Sequence, residues 1–232
     1  MKNATDVIPH GHDNKGEWIY TKLTQDLMNG ALLPNQRLKI RELAQTMGTS
    51  VTPVRDALLC LVHEGILVMS GSRDIRVPNL TLEEYLEIRS IRLELEGLVA
   101  ANAALNATDE DVAYLKDLVA QNEVSLTNLD YQLSIVLNQT FHFQLCHIAR
   151  MPIATQVLKQ LWMRIGPLIA QAYRQGERSM IDYHYPVIKA LENRDPQAAR
   201  IAIQGDLLSG GRTMLHLKEI EAAKHSNKRA LH

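Results

Sequence analysis

The sequence predicts a mainly α protein, an N-terminal winged helix-turn-helix joined to a C-terminal antiparallel helical bundle. Between residues 17 and 78, short stretches of helical apolar spacing are followed by paired β-prone runs around a Ser-Gly turn. From residue 82 to residue 223 the spacing is helical throughout. The joint between these regions, Pro78 to Thr81, is too short to be a free linker.

In chain order, Ile19, Tyr20, Leu23 and Leu27 recur at helical spacing, and Gly30 stands where a left-handed cap is wanted. After a turn containing Pro34, Leu43, Ala44 and Met47 give the segment from Arg41 one apolar face, and Gly48 stops it. Ser50 or Thr52 can cap the next helix and Pro53 suits its first turn. Val54, Ala57, Leu58, Leu61 and Val62 form the buried stripe of that helix before Gly65. Ile66 to Met69 and Ile75 to Val77 then read as a hairpin, a wing, around Ser70-Gly71-Ser72-Arg73.

Thr81-Leu82-Glu83-Glu84 is a capping-box pattern that opens the second domain. Helices are expected at about 82–104, 109–124, 131–149, 152–176, 179–193 and 196–223, with caps at Thr108 and Asp195 and first-turn prolines at 152 and 196. Pro167 and Pro186 fall inside helical patterns and should kink or break them. Residues 1–16 read as a polar arm and 224–232 as a basic tail.

Composition narrows the function classes. With 232 residues, 46% hydrophobic and 22% charged, the chain suits two modest domains rather than a disordered segment. A formal net charge of −1 excludes a polybasic binder, so any nucleic-acid contact must come from a local patch. Cys60 and Cys146 lie in apolar helical patterns without metal-finger spacing, which implies buried thiols in a reducing compartment, the cytoplasm. The polar start and the lack of an apolar run of membrane-spanning length disfavour secretion and the membrane.

Chemistry-bearing residues gather in two places. In a helix-turn-helix the start of the second helix meets base edges, so hydrogen-bonding groups should cluster there. Thr49, Ser50, Thr52 and Arg55 do so, with Arg55 opposite the apolar stripe, and Arg41 opens the helix before it. The second place is the bundle. Asn138 and His142 are four residues apart and share one helix face. His184 precedes the Asn193 turn by nine residues and Asp206 follows Pro196 by ten, so in an antiparallel pair they lie at similar height and all four can converge. Trp162, Met163 and Tyr173 read as core or pocket wall, and His216, His225 and His232 as solvated.

The run Leu32-Leu33-Pro34-Asn35-Gln36-Arg37-Leu38, then Arg41-Glu42-Leu43-Ala44 and Thr52-Pro53-Val54-Arg55-Asp56-Ala57-Leu58, resembles the GntR family of bacterial regulators. With the helical second domain the likeness spans nearly the whole chain and points to the FadR subfamily, whose FCD domain binds effectors. It implies that Arg41, Ser50, Thr52 and Arg55 contact DNA and that the wing turn at Ser70 and Gly71 reaches the minor groove. Members commonly carry arginine where this chain has Val51, which can instead touch a thymine methyl. The resemblance also implies a divalent metal held by an aspartate and three histidines. His142 and His184 match, while Asn138 replaces the aspartate and Asp206 the last histidine. The remaining set suits zinc, nickel, manganese or iron, with Asn138 as a poor fourth ligand; a metal-free polar pocket is the alternative. Arg92 matches an arginine that clamps an effector carboxylate, its alternative being a surface salt bridge to Glu96. The expected protein is a homodimer reading an inverted repeat in double-stranded DNA under control of a small-molecule effector. The competing readings are a small metalloenzyme using His142, His184 and Asp206, or a DNA-binding protein without an effector.

Overall fold

The first helical stretch forms α1 (His12–Met28), which sinks Ile19, Leu23 and Leu27 completely out of solvent. A computed structural model describes residues 12–71, 74–174 and 181–229 of the chain. Helix α1 therefore begins inside the stretch expected as an arm, the rest of which lies outside the described residues. The helix-turn-helix follows as α2 (Ile40–Thr46) and α3 (Val51–His63), separated by Gly48 at φ 60°. Helix α3 buries Val54, Ala57, Leu58 and Leu61, the expected stripe. Its first residue follows Ser50, which caps it by backbone position without a side-chain hydrogen bond, and Thr52 lies inside the helix.

The wing is shorter than its sequence suggests. Strand β1 (Val68–Met69) pairs antiparallel with β2 (Ile75–Arg76), in the register Val68↔Arg76 and Met69↔Ile75. Ile66 and Leu67 do not join the ladder, because both are buried and both donate their N–H to the Leu61 carbonyl at the end of α3. Asp74 pairs with Arg37 and Arg76, each at 3.1 Å, tying the wing to the chain before α2. Ser72 and Arg73 of the expected turn lie outside the described residues.

The second region consists, among the described residues, of α4 (Leu82–Asn106), α5 (Asp109–Thr127), α6 (Tyr131–Ala149), α7 (Pro152–Tyr173), α8 (His184–Glu192) and α9 (Pro196–Arg229). Thr81 with Glu84 and Thr108 with Asp111 make full capping boxes, and Asp195 accepts the N–H groups of Gln197 and Ala198. Helices α4 and α9 run antiparallel in extended contact: the Tyr85 hydroxyl donates to the Gly211 carbonyl at 2.8 Å and Gln204 Nε2 donates to the Leu93 carbonyl at 3.1 Å.

Several expectations need correction. Pro167 does not end α7, whose flanks stay helical because they pack on both α1 and α6. Pro186 sits in the first turn of α8, where no backbone donor is required, since that helix starts at His184 rather than 179. Helix α9 passes residue 223 and reaches Arg229, so much of the expected tail is helical. Cys60 is exposed because it falls just beyond the edge of the buried stripe of α3, with Sγ 3.4 Å from Glu64; Cys146 is buried as expected. His216 is exposed, while the side chain of His225 and all of His232 lie outside the described residues.

Close contacts join the winged region to the bundle. A Cβ on Gly30, at φ 66°, would collide with the Ala170 side chain, and one on Gly166 would collide with the Leu27 carbonyl, so α1 and α7 meet backbone to backbone. At the joint, the almost fully buried Lys218 of α9 donates to Asn79 at 2.7 Å and pairs with Glu221 at 2.8 Å.

Candidate functional site

The first candidate surface is the leading edge of the helix-turn-helix. Arg41, Ser50, Val51, Thr52 and Arg55 are all exposed, while Pro53, Val54, Ala57 and Leu58 turn inward. Amphipathicity dictates this: with the apolar stripe facing α1, the polar first turn of α3 must face outward. Ser50 spends no hydroxyl hydrogen bond on its own helix, and Arg55 has only a long 3.4 Å contact to Asp56, so both keep donors to offer. Val51 is 45% exposed, an aliphatic group presented to solvent where a polar one would cost nothing. Ser70 and Gly71 are exposed at the wing tip.

The second candidate is buried in the bundle. Helix α6 supplies Asn138 and His142, α8 opens on His184, α9 supplies Asp206, and all four are buried. One ligand atom from each of His142, His184 and Asp206 lies within 4.8 Å of the others. His142 Nε2 is 3.3 Å from Asp206 Oδ2, and His184 Nε2 is 3.5 Å from Asp206 Oδ1. The second contact lacks hydrogen-bond alignment, and His184 Nδ1, His184 Nε2 and Asp206 Oδ1 are buried without hydrogen-bond partners among the described residues. Orphaned buried polar atoms are costly and need an explanation. A divalent ion supplies one: ligands about 2.1 Å from a tetrahedral ion stand about 3.4 Å apart, close to the spacings seen. The residues therefore fit a metal. Asn138 lines the same small cavity as Arg92, His142 and Asp206.

Glu96 completes the arrangement, and spacing had suggested for it only a surface pairing with Arg92. Its two oxygens lie 2.6 Å from Arg92 Nε and 2.6 Å from His142 Nδ1, all deeply buried. Arg92 also lies over the Trp162 ring, 4.6 Å from its centre, so its pairing with Glu96, read from sequence as the alternative of a surface salt bridge, is an interior one facing the pocket. Burial by itself would raise the Glu96 carboxyl, but Arg92 and His142 prevail and hold it at about 2. Burial likewise disfavours a charged His142, yet Glu96 and Asp206 raise it to about 9, so an ion held there has to displace the proton of this ring. For His184 burial prevails, depressing it to about 4 despite Asp206, so its imidazole is neutral and able to ligate. Its ring stacks on Phe141, centres 4.0 Å apart, which fixes its plane. Tyr173 closes the end of α7 near this cluster; burial, then the Asp206 charge, push its phenol well up.

Comparison with known proteins places this geometry in context. The sequence pattern of the FCD domain matches residues 87–208, and that of the bacterial regulatory proteins, gntR family, matches residues 15–77. The chain is 34% identical over 186 residues to the HTH-type transcriptional regulator McbR of Escherichia coli, spanning 78% of this chain and 84% of that protein. The solved E. coli McbR/YncC structure superposes with a TM-score of 0.77 at 29% identity, covering 90% of this chain and 98% of that one. A GntR-family transcriptional regulator from Pseudomonas syringae pv. tomato shares the fold, with a TM-score of 0.52 at 22% identity over 91% of this chain and 88% of its own.

Proposed function

This chain belongs to the gntR family of bacterial regulatory proteins, carries an FCD domain and is a DNA-binding transcription regulator, and from that premise we propose that a small organic acid sets its affinity for DNA. The carrying observation is the buried His142, His184 and Asp206 cluster, whose His184 nitrogens find no hydrogen-bond partner among the described residues, beside a cavity that Arg92 also lines. His142, His184 and Asp206 would hold one divalent ion, zinc, nickel, manganese or iron, with the Asn138 amide as a weak fourth ligand. When bound, such an ion supplies a positive charge that attracts an effector carboxylate. Arg92 takes the far end of the effector, and Glu96 orients both Arg92 and His142.

Free volume at the cavity is about 20 Å³, so an organic acid enters only if side chains such as Leu207 and Met214 move. Both belong to α9, which carries Asp206 and, about 18 Å further along its axis, the Lys218 that grips Asn79 at the joint. Ligand-driven displacement of α9 thus has a rigid route to the winged region. On the DNA side, Arg55, Ser50, Thr52 and Val51 read the major groove, Arg41 contacts the backbone or groove edge, and Ser70 with Gly71 approaches the minor groove.

We assign the chain to the FadR subfamily and to the cytoplasm, and infer a homodimer on an inverted repeat. No described helix is long and apolar enough to cross a membrane. Ile91, Leu98 and Leu105 recur every seven residues on the exposed face of α4, beside exposed Ile201 and Leu208 on α9, an apolar seam that suits a second copy. Sedimentation of the free protein and of its DNA complex tests this; a monomer on an asymmetric site overturns it.

A metal-free effector pocket is the second reading, favoured because Glu96 and Asp206 already flank His142 on both ring nitrogens. The relatives named above are transcription regulators and lend no support to a metalloenzyme. Elemental analysis after loading with zinc, nickel, manganese or iron, beside release of DNA by organic acids, separates the readings: no retained metal with ligand-driven release leaves the metal-free pocket.

A further inference from the structure

A second, larger cavity lies outside the buried cluster, between the winged region and the bundle. It is an open cleft of about 1040 Å³, walled by α1 on one side and by the end of α6 and the start of α7 on the other. Met28, Phe143 and Met163 give it an apolar floor. His147, Arg150 and Lys159 stand around it, exposed and without an ion pair among the described residues. No carboxylate among the described residues lines it. Thr21 and Thr24 of α1 and Thr155 of α7 add hydroxyl groups to its walls. The N-cap of α7, Met151, makes no side-chain capping hydrogen bond to that helix.

The unpaired Arg150 and Lys159 around an apolar, methionine-containing floor are complementary to one kind of occupant. We propose that this cleft binds an organic anion with an apolar body, an amphiphilic carboxylate or sulfonate, as a second ligand site distinct from the His142, His184 and Asp206 pocket. The charged head lies against Arg150 and Lys159, and the apolar body covers Met28, Phe143 and Met163. Its size fits a drug-sized molecule, whereas the buried cavity, at about 20 Å³, admits none without rearrangement. Because α1 and α7 form opposite walls, an occupant holds both regions at once and favours the arrangement in which they are close, which couples occupancy to DNA affinity.

The test is a fluorescence titration of the full-length protein with the anionic probe anilinonaphthalene sulfonate, beside its uncharged counterpart phenylnaphthylamine. Saturable binding that favours the anion is expected. The double variant Arg150→Glu/Lys159→Glu, at two exposed positions, should weaken the anion by about tenfold or more, equivalent to about 1.4 kcal/mol, with an unchanged melting temperature. Thr24→Trp, which fills the cleft from the α1 side, should block both probes. A loss below about threefold in the double variant, or a neutral probe that binds as tightly as the anion, overturns the proposal. Neither readout depends on metal or operator, so this site can fail while the buried effector pocket stands, and the reverse.

Discussion

Glu96 Oε2 lies 2.6 Å from His142 Nδ1, bridging α4 and α6 across the centre of the bundle. Through its other oxygen the same carboxylate holds Arg92, also at 2.6 Å. Buried charges persist only when each has a partner, and here one carboxylate serves two cations at once. The consequence is positional: the ring plane of His142 and the guanidinium of Arg92 are set by a residue that lies outside the His142, His184 and Asp206 cluster itself.

Glu96→Gln should therefore be felt twice. With the shared charge removed, Arg92 loses its carboxylate and His142 keeps only Asp206, so stability should fall by about 3 kcal/mol, the lower range for breaking a buried pair because the amide keeps some hydrogen bonding. Zinc affinity, read by competition with a chromophoric chelator, should fall by about tenfold to a hundredfold. Unchanged zinc affinity together with unchanged stability would remove Glu96 from its positioning role.

For His184→Ala the expectation is loss of the ion, from about one per chain to none, by elemental analysis of protein dialysed after loading. Chelator should lower the melting temperature of the parent chain and leave that of the variant unmoved, since only the parent has metal-linked stability to lose. Equal chelator sensitivity in both proteins would place the ion elsewhere.

At the DNA face, Arg55→Ala should weaken specific binding by about 1–3 kcal/mol and relax the choice at one base-pair position. Loss that is uniform across sequences would mark Arg55 as a phosphate contact instead. Val51→Arg should change the preferred site in a randomised-site selection rather than strengthen binding everywhere, because the exposed valine presents only methyl groups.

Gly166→Ala tests the junction. The added Cβ meets the Leu27 and Met28 carbonyls, which cannot rotate away as a side chain could, so α1 and α7 must separate. Denaturant unfolding should show a loss of about 1–3 kcal/mol, and proteolysis at the joint should quicken. Ala170→Gly, which removes atoms from the same contact without adding any, should leave α1 and α7 in place.

Local patterns made much of this legible. Helix starts at Thr81 and Thr108 follow from capping boxes formed within four residues, and the inward face of α3 follows from periodicity alone. Errors arose where a long-range partner overrode local preference. Ile66 and Leu67 have strand-like sequence but give their N–H groups to Leu61, and Pro167 is carried inside α7 by packing against neighbouring helices. Cys60 misled because an apolar pattern names the buried face without fixing its edge, and this residue falls just beyond it.

The sequence by itself determined the class of fold, the order of its helices, the exposed polar edge at Arg41, Ser50, Thr52 and Arg55, and the residue types gathered in the buried cluster. These are properties of short windows, governed by backbone sterics and the apolar period. Only the tertiary structure decided that Glu96 joins Arg92 to His142 across 46 positions of chain, that His184 finds no hydrogen-bond partner among the described residues beside Asp206, and that α1 meets α7 backbone to backbone at Gly30 and Gly166. Those relations depend on distances between helices, which side-chain packing sets, and no spacing along the chain encodes a distance between elements that touch only when folded.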